Sequence, residues 1–399
     1  MIPLAGSSAR PRLPGDRYDA VIVGGRVAGA ATALLLARRG HRVLVLDREP
    51  PGRDTLSTHA LMRPAIVQLR RWGVLDRVVA AGTPPVRRVV FHYGDEPVPI
   101  DVPDALYAPR RTVFDRILVA AATEAGAQFR FGVRVEDILR DEVGRVVGVR
   151  GRSRDGGVVT ARAPITIGAD GRNSLLARRV NATVTRATNT RSAVLFGYWT
   201  GVEAAGYEWC FNPGTTGGLI PTNHGQVCVW AGMPPERFDE LRTDREAAVH
   251  AILAETTPDV ARRVAKGRNT GPIRGFPGQA GEMRRPWGPG WALVGDAGYF
   301  KDALTAHGMS DALRDAELLA RALDTVFAGH ASEADALSEY ERVRDDLSVE
   351  FFDATTRVAA YDWNLRQAQA LHMAISAAMQ REAKFLSSLD SDLVGSAAL

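Results

Sequence analysis

The spacing of apolar and polar positions places the first regular structure of the chain at Tyr18. From there to Asp47 it reads YDAVIVGGRVAGAATALLLARRGHRVLVLD: an apolar strand, a glycine turn, an alanine-rich helix and a second apolar strand that ends on an acid. That order predicts a β-α-β unit. A Pro/Gly loop follows from Arg48 to His59, and Pro64 to Ala81 carries Ile66, Leu69, Val74, Leu75 and Val78 at helical spacing, which predicts one helix ending before Gly82. Val86–Tyr93 and Val98–Val102 read as strands, and Arg110–Ala125 as a helix with Val113, Ile117, Leu118 and Ala121 on one face. Strands are predicted at 128–131, 133–140, 146–150 and 158–161, with a further apolar strand at 164–169 running into GADGRNS. Such interruptions of a β-α-β frame build a second layer over the first.

The pattern changes between Arg191 and Gly232. Strand-like segments there carry Phe196, Tyr198, Trp199, Tyr207, Trp209, Phe211 and Trp230, divided by turns such as Asn212-Pro213-Gly214. An aromatic sheet of this kind suits an apolar small-molecule pocket, with Phe196, Tyr198, Trp209, Phe211 and Trp230 as its candidate wall; a packed aromatic core is the plainer reading. Residues 246–264 read as one helix, and a Gly/Pro/Arg-rich link runs on to Gly290. Trp291–Gly295 is a short apolar strand feeding GDAGYFKDALTAHGMSDALRDAELLARAL, whose second half is a strongly amphipathic helix. Helices at 334–354 and 363–385 close the pattern.

The glycine turn at Gly24-Gly25-Arg26-Val27-Ala28-Gly29 is where chemistry enters. A turn leading into a helix N-terminus presents unpaired N–H groups and the positive end of the helix dipole, the usual seat of a pyrophosphate. Asp47, about twenty residues further on, stands where an acid accepts hydrogen bonds from a ribose. In Gly-x-Gly-x-x-Gly register Gly24 and Gly29 are the first and third glycines, and Arg26 replaces the second.

Composition narrows the function. The 399 residues suffice for one large or two joined domains, and the formal charge of +4 comes almost wholly from arginines interleaved with acids. No basic run with interleaved aromatics is present, so nucleic acid is not an expected partner. Cys210 and Cys228 lack zinc-ligand spacing, and no metal is expected. No apolar run is long enough to span a bilayer, and residues 1–17 lack the apolar core of a signal peptide; these features predict a flexible extension and a cytoplasmic protein.

Three motifs in order, Gly24 to Gly29, Asp170-Gly171 and Gly295-Asp296, resemble those of the FAD-dependent single-component aromatic hydroxylases, flavoprotein monooxygenases with the p-hydroxybenzoate hydroxylase fold. The resemblance covers nearly the whole chain. It implies an α/β fold: a Rossmann-like FAD-binding domain made of residues 18–83, 105–185 and 275–330, an interleaved β-sheet substrate domain of 84–104 and 186–274, and a C-terminal helical segment from 331 to 399. By the same resemblance Asp296 holds the ribityl hydroxyls, and the N–H groups around Gly308, Met309 and Ser310 face the flavin pyrimidine carbonyl. Asp47 and Arg48 hold the adenosine ribose, Arg111 contacts the cofactor, Val135 lies against the adenine, and Asp170 belongs to a motif shared by FAD and NAD(P)H. The family pattern Gly-Asp-Ala-Ala-His with a proline-containing loop becomes Gly295-Asp296-Ala297-Gly298-Tyr299 with Asp302-Ala303, departures that bear on the shape of the flavin-side pocket.

The activity implied is oxygenation: NAD(P)H reduces FAD, O2 adds at the flavin C4a, and the hydroperoxide hydroxylates or epoxidises an apolar, ring-containing metabolite. With one nucleotide fingerprint, the reductant visits transiently or arrives as reduced flavin from a partner reductase. His307, next to Gly308, is the candidate catalytic base, with His59 as a second pocket histidine. Three alternatives share the pattern. A halogenase of this fold uses a lysine between its first two motifs and a Trp-x-Trp-x-Ile-Pro stretch, whereas the first lysine here is Lys266. A flavin-dependent double-bond reductase and a non-catalytic flavin- or ligand-binding protein are the others.

Overall fold

The computed structural model describes residues 18–240 and 243–390. The expected N-terminal extension, 1–17, and the last nine residues of the C-terminal segment lie outside these.

The apolar strands of the β-α-β unit are buried on both faces, as a parallel sheet requires. The sheet has six strands in the order Trp287–Gly288, Trp291–Leu293, Ile165–Gly168, Ala20–Val23, Val43–Asp47, Gln128–Phe131. All neighbours run parallel except the first pair. Side chains alternate across it: Ala20, Ile22, Val43 and Val45 join the core under the helices, while Val21, Val23, Leu44 and Leu46 pack on Val133, Val149 and Ala161. These last belong to an antiparallel three-stranded sheet of Val133–Arg140, Val146–Ser153 and Val158–Arg162, the expected second layer. On the opposite face the helix Val27–Arg38 lies between Arg111–Glu124 and Gly308–Phe327.

Register decides where the motifs go. Val23 pairs with Leu46 on one side and Gly168 on the other, and Leu293 pairs with Gly168. The glycine turn, Asp47, Asp170 and Asp296 therefore all emerge at the carboxyl edge of one parallel sheet, the edge at which such sheets bind ligands.

The aromatic segments form an eight-stranded sheet ordered Arg268–Asn269, Ala193–Thr200, Gln226–Met233, Thr215–Thr222, Tyr207–Asn212, Val86–Tyr93, Glu96–Leu106, with Arg274–Phe276 also paired to Ala193–Thr200. Its period of two separates the faces. Leu195, Trp199, Cys210, Leu219 and Val229 pack on helices Arg245–Thr256 and Pro258–Lys266, whereas Phe196, Tyr198, Trp209, Phe211 and Trp230 face the nucleotide-sheet side.

Two expected helices are broken for local reasons. Pro64–Ala81 divides into Arg63–Arg71 and Leu75–Ala80 because Gly73 turns the chain at φ +63°. The 246–264 helix divides at Thr257, which precedes Pro258 and is extended at φ −155°. The link to Gly290 holds short strands at Arg274–Phe276, Glu282–Arg284 and Trp287–Gly288 rather than loop alone. The closing helices Glu333–Ala359 and Leu365–Ser388 pack on each other, the second started by a capping box between Asn364 and Gln367.

Candidate active site

The glycine turn is held by contacts that leave no room for a side chain at Gly24 or Gly29. Gly24 has φ +103°, and a Cβ there would lie 2.4 Å from the Ala169 carbonyl oxygen, so the first motif is packed against the backbone leading into the second. Arg26 starts the helix in extended backbone, φ −90°, which any residue adopts; the missing second glycine therefore costs the turn no strain. Its Nη1 donates to Thr55 Oγ1 at 3.0 Å, which draws the guanidinium along the loop after the second strand. Asp47 accepts from the Gly25 N–H at 2.7 Å and the Glu49 N–H at 2.8 Å. The acid thus ties the turn to the strand end, and the Gly25 N–H is already engaged.

These elements open on a cavity of about 840 Å³. Gly24, Arg26, Ala28, Asp47, Arg48, Arg111, Val135, Asp170, Asp296, Gly308 and Met309 line it together with Phe196, Trp209 and Trp230. Nucleotide-type and aromatic groups therefore share one space. Arg111 is fixed by two bonds to Asp115, at 2.7 and 3.0 Å, both partners buried.

The remaining expected residues stand behind the wall. Gly25 and Gly29 support the turn. The Gly295 N–H donates to Asp315 Oδ2 at 3.1 Å, and Ser310 lies in the first turn of its helix with a buried Oγ that has no partner among the described residues. Tyr198 and Phe211, expected in the substrate wall, are not part of it. Tyr198 borders a second cavity of about 390 Å³, and Phe211 is covered by His372 with ring centroids 4.0 Å apart.

His307 is also displaced from its expected role. Its ring is fully buried, stacks on Phe351 and places Nε2 2.7 Å from Glu382 Oε2, outside the cavity lining. It belongs to a buried charge cluster with Asp311, Arg314, Asp315, Glu382 and Lys301. His307, Asp311 and Glu382 bring ligand-type atoms within 4.8 Å of one another, but the Arg314 guanidinium contacts Asp311 at 3.0 Å and Glu382 at 3.3 Å and fills the place of a cation.

Sequence reasoning left Lys301 unassigned and read Asp302 only as a departure from the family pattern. Lys301 lines the cavity, with its ammonium on Asp311 and 4.7 Å from the Tyr299 ring centroid. Asp302 accepts from the Ser192 N–H at 2.7 Å, the Ser192 hydroxyl at 2.6 Å and the Leu304 N–H at 3.0 Å, so a carboxylate pins the loop where the related pattern uses prolines. Aspartate directly before a short helical turn was the available signal for the cap.

The electrostatics of the unpaired acids are informative. Burial, reinforced by Asp311, pushes the Asp296 carboxyl up to about 6, and no protein donor reaches it among the described residues. Asp170 accepts the Leu175 N–H at 2.6 Å through Oδ2, while its other oxygen is buried without a partner among the described residues; burial raises its pKa as well. Among the described residues the N-terminus of Gly308–Phe327 has no side-chain cap, and a Cβ on Gly308 would lie 3.8 Å from Asp296 Oδ1.

The family described as FAD binding domain matches residues 17–355, and the chain belongs to it. The structure has the p-hydroxybenzoate hydroxylase-type arrangement of a parallel FAD sheet, antiparallel sheets and C-terminal helices. A tryptophan 2-halogenase of Chondromyces crocatus is 26% identical over 370 residues, covering 87% of this chain and 70% of that protein. Digeranylgeranylglycerophospholipid reductase 2 of Methanopyrus kandleri is 29% identical over 358 residues, covering 86% and 85%. Among solved structures, the myxobacterial chondrochloren halogenase CndH is 26% identical with a TM-score of 0.78, covering 96% of this chain and 93% of that one. PqsL of Pseudomonas aeruginosa, described as a probable FAD-dependent monooxygenase, shares the fold at 22% identity and a TM-score of 0.71, covering 91% and 100%.

The cavity fits the dinucleotide on its own terms. FAD brings hydroxyl donors, a pyrophosphate and an electron-poor ring. The cavity offers carboxylates short of donors at Asp296 and Asp170, a close-packed glycine turn at a helix start, and an uncapped helix N-terminus. The protein is an FAD-dependent oxidoreductase. Among the described residues no helix is long and apolar enough to cross a membrane.

Proposed function

We propose that the protein is a monooxygenase that uses NAD(P)H and O2 to hydroxylate or epoxidise an apolar ring compound. The observation that carries the reading is the shared cavity: Phe196, Trp209 and Trp230 form its wall in the same space as Asp296 and the Gly308 helix N-terminus. FAD, when bound, supplies electron transfer and oxygen activation. The chain's own residues hold it and shape the space around it. Asp296 and Asp170 would accept from its hydroxyls, Asp47 keeps the glycine turn in place for the pyrophosphate, and Val135 and Arg48 would hold the adenosine end. The Gly308 helix N-terminus would stabilise negative charge on the bound ring. The indoles of Trp209 and Trp230, with centroids 5.7 Å apart, exclude water and present flat apolar surface to the substrate.

Halogenation is the competing reading, favoured by the names of two relatives. The absence of any lysine between the glycine turn and Asp170, where a halogenase of this fold carries one, argues against it. Double-bond reduction differs in consuming no oxygen. The test is to record the visible spectrum of the purified protein, then to follow NADPH and NADH oxidation, O2 uptake and 18O incorporation with bicyclic aromatics, with and without chloride or bromide. Substrate-dependent 18O incorporation without halide dependence is expected. A protein that takes up no FAD, or a product formed only with halide, sinks the reading.

A further inference from the structure

His59 combines three features that its packing within the protein does not account for. It is a non-glycine residue at φ +68°, a left-handed conformation that costs about 1 kcal/mol or more and concentrates at functional sites. The residue is buried, yet it is among those that line the cavity. Nδ1 is buried without a partner among the described residues, whereas Nε2 is bonded to the Tyr198 hydroxyl. Leaving a buried polar atom unsatisfied is costly, and a ligand in the cavity removes that cost.

The other side of the imidazole is rigidly held. Its plane lies 10° from that of Tyr198 with centroids 5.5 Å apart. The Arg110 guanidinium covers the far side of that tyrosine, 3.4 Å from the ring centroid, and is anchored by Asp54 at 2.7 Å and Gln226 at 2.8 Å. A cation on the phenol ring withdraws charge from its oxygen and makes the O–H the better donor. Tyr198 then donates to Nε2, which leaves the proton of the neutral imidazole on Nδ1. Burial and the guanidinium groups of Arg111, Arg110 and Arg274 disfavour a second proton.

We propose that His59 is a ligand-contacting residue whose Nδ1–H donates a hydrogen bond to an oxygen acceptor, a ring carbonyl or phenolate, of the compound held against Phe196, Trp209 and Trp230. Tyr198 is the positioning residue that sets the tautomer. This rests on the reading of the cavity as a substrate site, and it narrows that site to ring compounds bearing an oxygen acceptor.

The test compares 1-tetralone with tetralin, which lacks only the carbonyl oxygen, and indole with naphthalene as a donor pair. Binding is read by quenching of tryptophan fluorescence, which works with or without FAD, so a failure of the flavin reading is registered separately by the visible spectrum. Wild type is expected to bind 1-tetralone at least about tenfold more tightly than tetralin. The preference should fall to within about twofold in His59→Phe. It should survive in part in His59→Asn, because asparagine tolerates left-handed backbone and carries an N–H donor close to the position of Nδ1. His59→Gly, which relieves the backbone, guards against a folding failure of the phenylalanine variant and should also lose the preference. Tyr198→Phe should weaken it while His59 remains in place. The proposal is overturned by equal binding, or no binding, of 1-tetralone and tetralin to the wild type, or by a preference for indole over naphthalene in place of the carbonyl preference. It is equally overturned if His59→Asn changes FAD affinity more than about tenfold while leaving the 1-tetralone preference untouched.

Discussion

Gly29 sits so close to Gly24 that a β-carbon on it would lie 1.8 Å from the Gly24 carbonyl oxygen. A real contact at that distance is impossible, so the helix would have to move away from the turn that feeds it. Gly29→Ala is expected to destabilise the protein by more than about 3 kcal/mol and to abolish FAD retention. Gly25→Ala is the control, since its Cβ meets Asp47 and Val45 at 3.4 Å, an ordinary contact. Denaturant midpoints and the flavin content of the two variants check the contrast; similar losses in both would show that the turn packs differently.

Arg26 should behave as a ligand rather than a blemish. Its backbone is extended, so glycine gains nothing there, and the residue lines the cavity with its guanidinium bonded to Thr55. Arg26→Gly is expected to weaken FAD binding by about tenfold, the loss of one charge-assisted bond to phosphate, with more loss at low ionic strength than at high. Fluorescence titration of the apoprotein with FAD measures it. Tighter binding in the variant would mean that the arginine obstructs the pyrophosphate.

Asp296 makes FAD affinity depend on pH. Its carboxyl is raised to about 6, so the apoprotein carries a proton there below that pH, whereas the hydroxyl-accepting form is the carboxylate. For apoprotein stability, the raised folded pKa gives a contribution fully present below the unfolded value and lost as pH rises through about 6. For FAD the sign is opposite: binding favours the ionised acid, so affinity rises from pH 5 to 7 and levels off above. The Kd should fall by up to about tenfold per pH unit in the rising region. Asp296→Asn should bind more weakly, and its Kd should not show the rise assigned to Asp296. A wild-type Kd flat between pH 5 and 7 would show that the flavin does not draw on this carboxylate.

What the sequence revealed about the site follows from how local each feature is. The glycine turn, Asp170 and Asp296 follow apolar strands, and parallel pairing carries all of them to one edge regardless of the intervening residues. The period of two put Phe196 and Tyr198 on the same face, but not at the same place along the strand. Phe196 reaches the cavity, whereas Tyr198 ends behind His59, a residue far away in sequence. His307 shows the same limit. Its place beside Gly308 was legible, yet the direction of its ring is set by Glu382 and Phe351, on the two C-terminal helices. The helix breaks at Gly73 and Thr257 were readable from glycine and proline alone, but hydrophobic periodicity ran through both.

The buried cluster around Arg314 supplies the last prediction, because it separates a structural histidine from a catalytic one. Arg314 is held by Asp311, Asp315 and Glu382, and His307 leans on the same Glu382. Glu382→Ala leaves a buried guanidinium short of one partner and an imidazole without its carboxylate, so it should cost about 3 kcal/mol or more. Glu382→Gln keeps hydrogen-bonding atoms in place and should cost less. His307→Phe removes the ring outside the cavity lining and preserves stacking on Phe351. It should lower the denaturation midpoint while leaving the rate of flavin reduction by NADPH and the coupling of O2 to product within about threefold of wild type. The opposite result, unchanged stability with oxygenation reduced by more than a hundredfold, would place His307 in the chemistry. Stopped-flow reduction and product analysis at equal flavin loading distinguish the two, because a structural histidine moves stability and a catalytic one moves turnover.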